Sequence, residues 1–130
     1  MSLNLIVVDD EIDIFVLYEL FLKKEIAAGL ISLNCFPSAS ECLSYLKTST
    51  INCSSSLILS DINMPEMDGY ELLEQARNLY PELPIYMVTA YSREDYVQKA
   101  LSLGGQGLIP KPDDFNELTE LISTHFQKKV

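Results

Sequence analysis

Basic residues are scarce in this chain of 130 residues: nine Lys and Arg stand against nineteen Asp and Glu, for a formal net charge of −10. That balance argues against direct nucleic-acid binding, because phosphate contacts need clustered Lys and Arg. It also suits a pocket that concentrates divalent cations. Cysteine is limited to Cys35, Cys42 and Cys53, an odd set without a C-x-x-C spacing. A disulfide framework or a zinc site is therefore disfavoured, and reduced thiols in a cytoplasmic protein are expected. No apolar run approaches the ~20 residues of a membrane span. No signal peptide is expected either, because the first apolar stretch runs into Asp9-Asp10-Glu11. The sequence shows no internal repeat and no domain linker. With 48% apolar residues, 1–130 reads as one compact domain that buries its own core.

What is present is an alternation. Short apolar runs, Leu5 to Val8, Leu30 to Phe36, Leu57 to Leu59, Ile85 to Val88 and Leu108 to Ile109, alternate with amphipathic segments five times. Three runs are apolar without interruption, as central parallel strands covered on both faces would be. The second alternates Ile31, Leu33 and Cys35 with Ser32 and Asn34, which predicts an edge strand. Helical spacing fills the intervals. Ile14, Leu17, Tyr18, Phe21 and Leu22 predict a first helix facing the sheet, and Ile12, Phe15, Val16 and Leu20 form a second stripe pointing outward. Ala39, Cys42, Leu43 and Leu46 mark the next helix, opened by a capping box of Ser38 and Glu41. The stretch from Thr48 to Ser56 reads as one surface loop. Leu72, Leu73, Ala76 and Tyr80 precede Pro81; Val97, Ala100 and Leu101 precede Gly104-Gly105; Leu118, Leu121, Ile122 and Phe126 close the series. Five such units predict an α/β fold, a five-stranded parallel sheet wound on both sides in flavodoxin-like order 2-1-3-4-5.

Ligand sites in such folds lie at the carboxyl ends of the strands, near the point where strand order reverses. Polar residues gather there. Asp9, Asp10 and Glu11 follow the first strand, Asp61 ends the third, Thr89 the fourth, and Lys111 follows the fifth. Taken singly, each has a plain structural reading as a helix cap, a turn former or a solvated lysine. Together at one edge they point to phosphoryl chemistry. Two carboxylates about 4 Å apart repel by roughly 4 kcal/mol at an effective dielectric near 20, so clustered acids call for a cation or raised pKa values. Mg²⁺ takes oxygen ligands and would offset that repulsion. In-line phosphoryl transfer needs mainly positioning and charge neutralisation, with Asp61 as covalent acceptor and Thr89 and Lys111 for the phosphoryl oxygens.

At these residues the sequence resembles the response-regulator receiver family over essentially its whole length. The resemblance is carried by Leu5-Ile6-Val7-Val8-Asp9-Asp10-Glu11, by Ser60-Asp61-Ile62-Asn63-Met64-Pro65-Glu66-Met67-Asp68-Gly69-Tyr70, by Val88-Thr89-Ala90 and by Lys111-Pro112. It implies that Asp61 is the phosphoacceptor and Asp10 a direct Mg²⁺ ligand. It further implies that Asp9 acts close to the ion or through its water, and that Asn63 lends its backbone carbonyl. Thr89 and Lys111 would bind the phosphoryl group, the Lys111–Pro112 bond would be cis, and Asp68-Gly69 would form a turn. The donor would be a histidine kinase or phosphotransfer protein, docked on Ile12, Phe15, Val16 and Leu20; a dimer contact is the alternative use of that stripe. The domain would catalyse only its own phosphorylation and dephosphorylation, and would act through a downstream protein or a fused output domain.

Two departures stand out. The family usually carries Tyr or Phe three residues before the lysine as a rotamer switch, and Leu108 occupies that position. The interval of 51 positions from Asp10 to Asp61 is also long, the excess being assigned to the Thr48–Ser56 loop. Tyr91 and Asn63 border the pocket in the family pattern and would tune water access. His125, the lone histidine, suits a helix C-terminus. Rival functions fit less well. An aspartyl-phosphate phosphatase would carry a second Asp where Asn63 stands, and a flavin carrier would not place Asp9-Asp10-Glu11 in its phosphate loop. A receiver-like scaffold that never takes phosphate is the remaining rival. If the missing ring weakens the switch, Leu108→Tyr enlarges the NMR shift changes that phosphorylation causes on the fourth-helix and fifth-strand face. Equal changes in both proteins would argue against that reading.

Overall fold

The computed structural model describes residues 2–89 and 94–110. Within them the elements are β1 Leu3–Val8, α1 Asp13–Phe21, α2 Lys23–Ala27, β2 Ile31–Phe36, α3 Ala39–Thr48, β3 Ser56–Asp61, α4 Gly69–Leu79, β4 Ile85–Thr89, α5 Glu94–Ser102 and β5 Gly107–Pro110. The five strands form one sheet in the order β2-β1-β3-β4-β5, and every pairing is parallel. The predicted strand order and the edge position of β2 are both observed. The segment expected to form the last helix, with His125, lies outside the described residues.

Alternation along the buried strands feeds two cores. Ile6, Val8, Ile58, Ile85 and Met87 point to one face, where Cys42, Leu43 and Leu46 of α3, Leu72, Leu73 and Ala76 of α4 and Ala100 of α5 cover them. Leu3, Leu5, Val7, Leu57, Leu59 and Val88 point to the other, beneath Tyr18 and Leu22 at α1. All six residues of β3 are buried, as a central strand requires. Cys42 packs in the first core as a small apolar group, and burial pushes its thiol up to about 12.

The helix ends follow the expected chemistry. Ser38 Oγ accepts the Glu41 amide at 3.2 Å and donates to Glu41 Oε2 at 3.1 Å, so Ser38 caps α3 and Glu41 reaches back to its hydroxyl. Gly104, at φ +96°, closes α5: its amide reaches the Leu101 carbonyl and the Gly105 amide reaches that of Ala100. Arg77 of α4 then ties the two helix ends together, donating to the carbonyls of Pro81 (2.6 Å), Tyr80 (3.3 Å) and Gly104 (2.7 Å).

Four expectations are corrected. The inward face of α1 is Ile14, Phe15 and Tyr18 with Leu22, whereas Leu17 and Phe21 are 47% and 46% exposed. Phe15 therefore packs toward the sheet, and Leu17 and Phe21 join the outward side. The apolar spacing on this helix permits two overlapping stripes, and Tyr18 and Leu22 fix the choice because their bulk fills the space over β1. Second, the chain makes an additional short helix, α2, before Gly29 turns it into β2. Third, the Thr48–Ser56 stretch is not one loop: Thr48 ends α3, Ile51 is buried, Cys53–Ser55 make a 3-10 turn, and Ser56 already belongs to β3. Likewise Leu101 faces solvent, and Tyr96 and Leu103 pack on the core with Ala100.

Leu72 is fully buried between α4 and the sheet. Leu72→Ala is expected to lower unfolding free energy by about 2–5 kcal/mol, read from the denaturant midpoint with an unchanged slope.

Candidate functional site

Strand register builds the site. Val8 of β1 lies opposite Ser60 of β3, so the next residues, Asp9 and Asp61, emerge side by side where the strand order reverses. Asp9, Asp10 and Asp61 form one cluster, each offering a carboxylate oxygen within 4.8 Å of the others. Asp9 is 3% exposed and Asp61 5%, whereas Asp10 is open to solvent. Two carboxylates withdrawn from water beside a third make an arrangement suited to a hard divalent cation, which would offset their repulsion and leave an open side for water.

Backbone amides orient the buried acids. Asp9 Oδ1 accepts the Glu11 amide at 2.9 Å, and Asp61 Oδ1 accepts the Ile62 amide at 2.9 Å. These bonds hold each carboxylate in one pose, as positioning chemistry demands. The loop after Asp61 is then folded back on the strand. Met64 is buried, Glu66 takes φ +69°, and the Met67 amide bonds the Pro65 carbonyl across it. Asp68 caps α4 by accepting the Glu71 amide at 2.9 Å. The Gly69 amide donates to the Ile62 carbonyl at 2.8 Å. A Cβ on Gly69 would overlap the Asp61 carbonyl oxygen and stand 2.9 Å from Ile62 Cα. This close approach explains Asp68-Gly69 physically: a cap, then a residue with no side chain against the acceptor strand.

Of the site residues predicted from sequence, Asp9, Asp10 and Asp61 are thus brought together, and Asn63 follows two positions after Asp61 on the exposed loop. Thr89 ends β4, paired with Pro110 of β5. The Thr89 side chain, Tyr91, Lys111 and the Lys111–Pro112 bond lie outside the described residues. Leu108, where a ring was expected, sits opposite Met87, half-buried against the first core. The sequence reading did not single out Ser60, whose hydroxyl donates to the Asp61 carbonyl at 3.0 Å within the buried strand. A serine in an otherwise apolar strand run was the available signal. Tyr18, wholly buried under α1, was read only as core. Its hydroxyl is held well above the usual phenol range, by burial first and then by the Asp9 charge.

Comparison with known proteins agrees with this geometry. The family pattern of the response regulator receiver domain matches residues 5–123. The DNA-binding transcriptional regulator NtrC of Klebsiella pneumoniae is 34% identical over 111 residues, which cover 83% of this chain. The chain spans only 23% of that protein's length, and 25% of NtrC from Escherichia coli. Among solved structures, a CheY-like receiver domain protein of Methanospirillum hungatei superposes with a TM-score of 0.79 at 28% identity, covering 99% of this chain and 97% of the other. The response regulator TrrA of Thermotoga maritima, solved in complex with Mg²⁺-BeF, has the same fold (TM-score 0.78, 24% identity, 96% and 99% covered).

Gly69→Ala is expected to destabilise the protein by about 1–3 kcal/mol through overpacking. Gly107→Ala, whose Cβ would meet only Tyr86 ring carbons at 3.6 Å, is the control and should cost little. Thermal melts of the two variants compare them directly.

Proposed function

The chain belongs to the response regulator receiver domain family, and from that premise we propose that Asp61 is the residue on which it takes its phosphoryl group. The convergence of Asp9, Asp10 and Asp61 within 4.8 Å at the strand-order reversal carries this assignment. The Asp61 oxygen that does not accept the Ile62 amide attacks the donor's phosphorus, an O–P bond forms, and the bond from phosphorus to the donor breaks. The electron pair of that bond leaves with the donor, and the product is an acyl phosphate. A divalent cation, Mg²⁺ in this reading, would be held by Asp9, Asp10, Asp61 and the Asn63 backbone carbonyl. When bound it supplies positive charge against the carboxylates and the incoming phosphoryl oxygens. Thr89 and Lys111 take the remaining phosphoryl oxygens, the first as a hydroxyl donor and the second as a charge. The Ile62 and Glu11 amides keep their carboxylates oriented throughout.

The domain's chemistry in this reading is its own phosphorylation and dephosphorylation, not turnover of a separate substrate. Asn63 in place of a second acid supports this, since no carboxylate there can activate water. Residues 1–130 act as one receiver unit. The donor is a histidine kinase or phosphotransfer protein, reaching Asp61 over the neighbouring α1 surface of Ile12, Val16 and Leu20, with Phe15 half-buried beneath. A downstream protein or a fused output domain reads the result. Among the described residues no helix is long and apolar enough to cross a membrane, which is compatible with a cytoplasmic location.

Incubation with acetyl phosphate, followed by intact mass, tests the assignment. Wild type should gain one phosphoryl group when Mg²⁺ is present and lose that gain when the ion is chelated. Asp61→Asn should gain none, whereas a gain in that variant equal to wild type would remove Asp61 from the role. Asp10→Asn should weaken Mg²⁺ binding at least tenfold, about 1.4 kcal/mol, measured by calorimetric titration.

A further inference from the structure

Ser60 interrupts the apolar run of β3 just before Asp61, and it is wholly inaccessible. It follows Ile58 on the side of the sheet that α4 covers, between Val8 of β1 and Met87 of β4. A hydroxyl buried there costs free energy unless it finds an acceptor. An apolar side chain would fill the same space without that demand. The acceptor is the carbonyl of Asp61, 3.0 Å from Ser60 Oγ.

That carbonyl and the Ile62 amide are the two ends of one peptide group. The group is planar, so its ends turn together. At the far end the Ile62 N–H donates to Asp61 Oδ1 at 2.9 Å. Fixing Oδ1 also fixes the direction of the second carboxylate oxygen, since both belong to one planar group turning about one bond. Ser60 is thus linked to the carboxylate through the peptide plane. Gly69 bounds the same plane from the α4 side. A Cβ there would overlap the Asp61 carbonyl oxygen, and the Gly69 amide holds the next carbonyl, that of Ile62, at 2.8 Å.

We infer that Ser60 is a positioning residue for phosphoryl transfer: its hydroxyl locks the Asp61–Ile62 peptide, so that the Ile62 amide holds Oδ1 and the second oxygen stays aimed for attack. This deepens the reading of Asp61 as phosphoacceptor and rests on it. Sealed within the sheet, Ser60 acts through the peptide and not on the donor. Its contribution is to orientation, on which in-line transfer depends. A hydroxyl that merely satisfied itself on a nearby carbonyl would affect stability and leave the rate alone.

Time courses of intact mass with acetyl phosphate at saturating Mg²⁺ test the role, on the full chain and on Ser60→Ala, Ser60→Thr and Ser60→Val. Thr and Val share a shape and differ in the hydroxyl. Ser60→Ala should take up the phosphoryl group about tenfold more slowly than wild type, the rate equivalent of one lost hydrogen bond. Ser60→Thr should recover most of that rate, and Ser60→Val should not. Amide hydrogen exchange reads the peptide without any phosphorylation. In Ser60→Ala, exchange at Ile62 should quicken about tenfold beyond any change at Leu57 and Leu59, whose amides report the fold as a whole. If the Thr and Val variants do not fold, Ser60→Ala and the exchange rates still decide. A wild type that takes no phosphate removes the Asp61 reading and this inference with it. A phosphorylated wild type matched in rate by Ser60→Ala leaves Asp61 as acceptor and overturns the role of Ser60 alone. Folded Thr and Val variants of equal rate, or Ile62 exchange that moves only as the core does, overturn it equally.

Discussion

Like charges gathered where water has been excluded are the constraint around which this fold is arranged. Asp9 and Asp61 are nearly inaccessible and stand at the ends of the adjacent interior strands β1 and β3, with Asp10 beside them. Burying a carboxylate is costly unless hydrogen bonds or a counter-charge compensate. The Glu11 and Ile62 amides provide part of that compensation, and a divalent ion and a cationic side chain are the natural remainder. The rest of the structure serves to hold these groups together. The β1–β3 register sets their spacing, the two cores keep the strands fixed, and the loop after Asp61 is tied back to the strand end by the Gly69–Ile62 bond.

Much of this was legible in the sequence, for identifiable reasons. Strands buried on both faces are near-continuously apolar, so β3 and β4 stood out by the runs Leu57–Leu59 and Ile85–Val88. The edge strand β2 betrayed itself by alternation. Capping also leaves local marks: Ser38 with Glu41 at α3, Asp68 at α4, and the glycine pair after α5 all do in the structure what their chemistry suggests. Because strand ends follow from strand runs, the acids that sit on those ends could be placed before any coordinates.

What the sequence did not disclose depends on choices that periodicity leaves open. On α1 nearly every non-acidic residue is apolar, so the helical period admits more than one inward face. Tertiary packing of Tyr18 and Leu22 made the selection and turned Phe15 inward and Leu17 outward. Polarity likewise misled at Thr48–Ser56: Thr48 satisfies its hydroxyl on the Ser44 carbonyl and stays helical, while Ile51 plugs the core from within a Ser/Thr-rich stretch. The close contact of Gly69 with the Asp61 backbone also has no sequence signal beyond the glycine itself. Nothing in composition says which glycine is needed for its turn and which for its lack of a side chain.

That last contact has a mechanical meaning. The first turn of α4 rests on the main chain of Asp61 with no intervening side chain to act as a cushion, and the Gly69–Ile62 bond pins it there. A joint of this kind has no play. Any displacement of the Asp61 backbone must be shared by the start of α4, and from there by the Arg77 tie to the end of α5. Helix and strand end move as one piece or not at all.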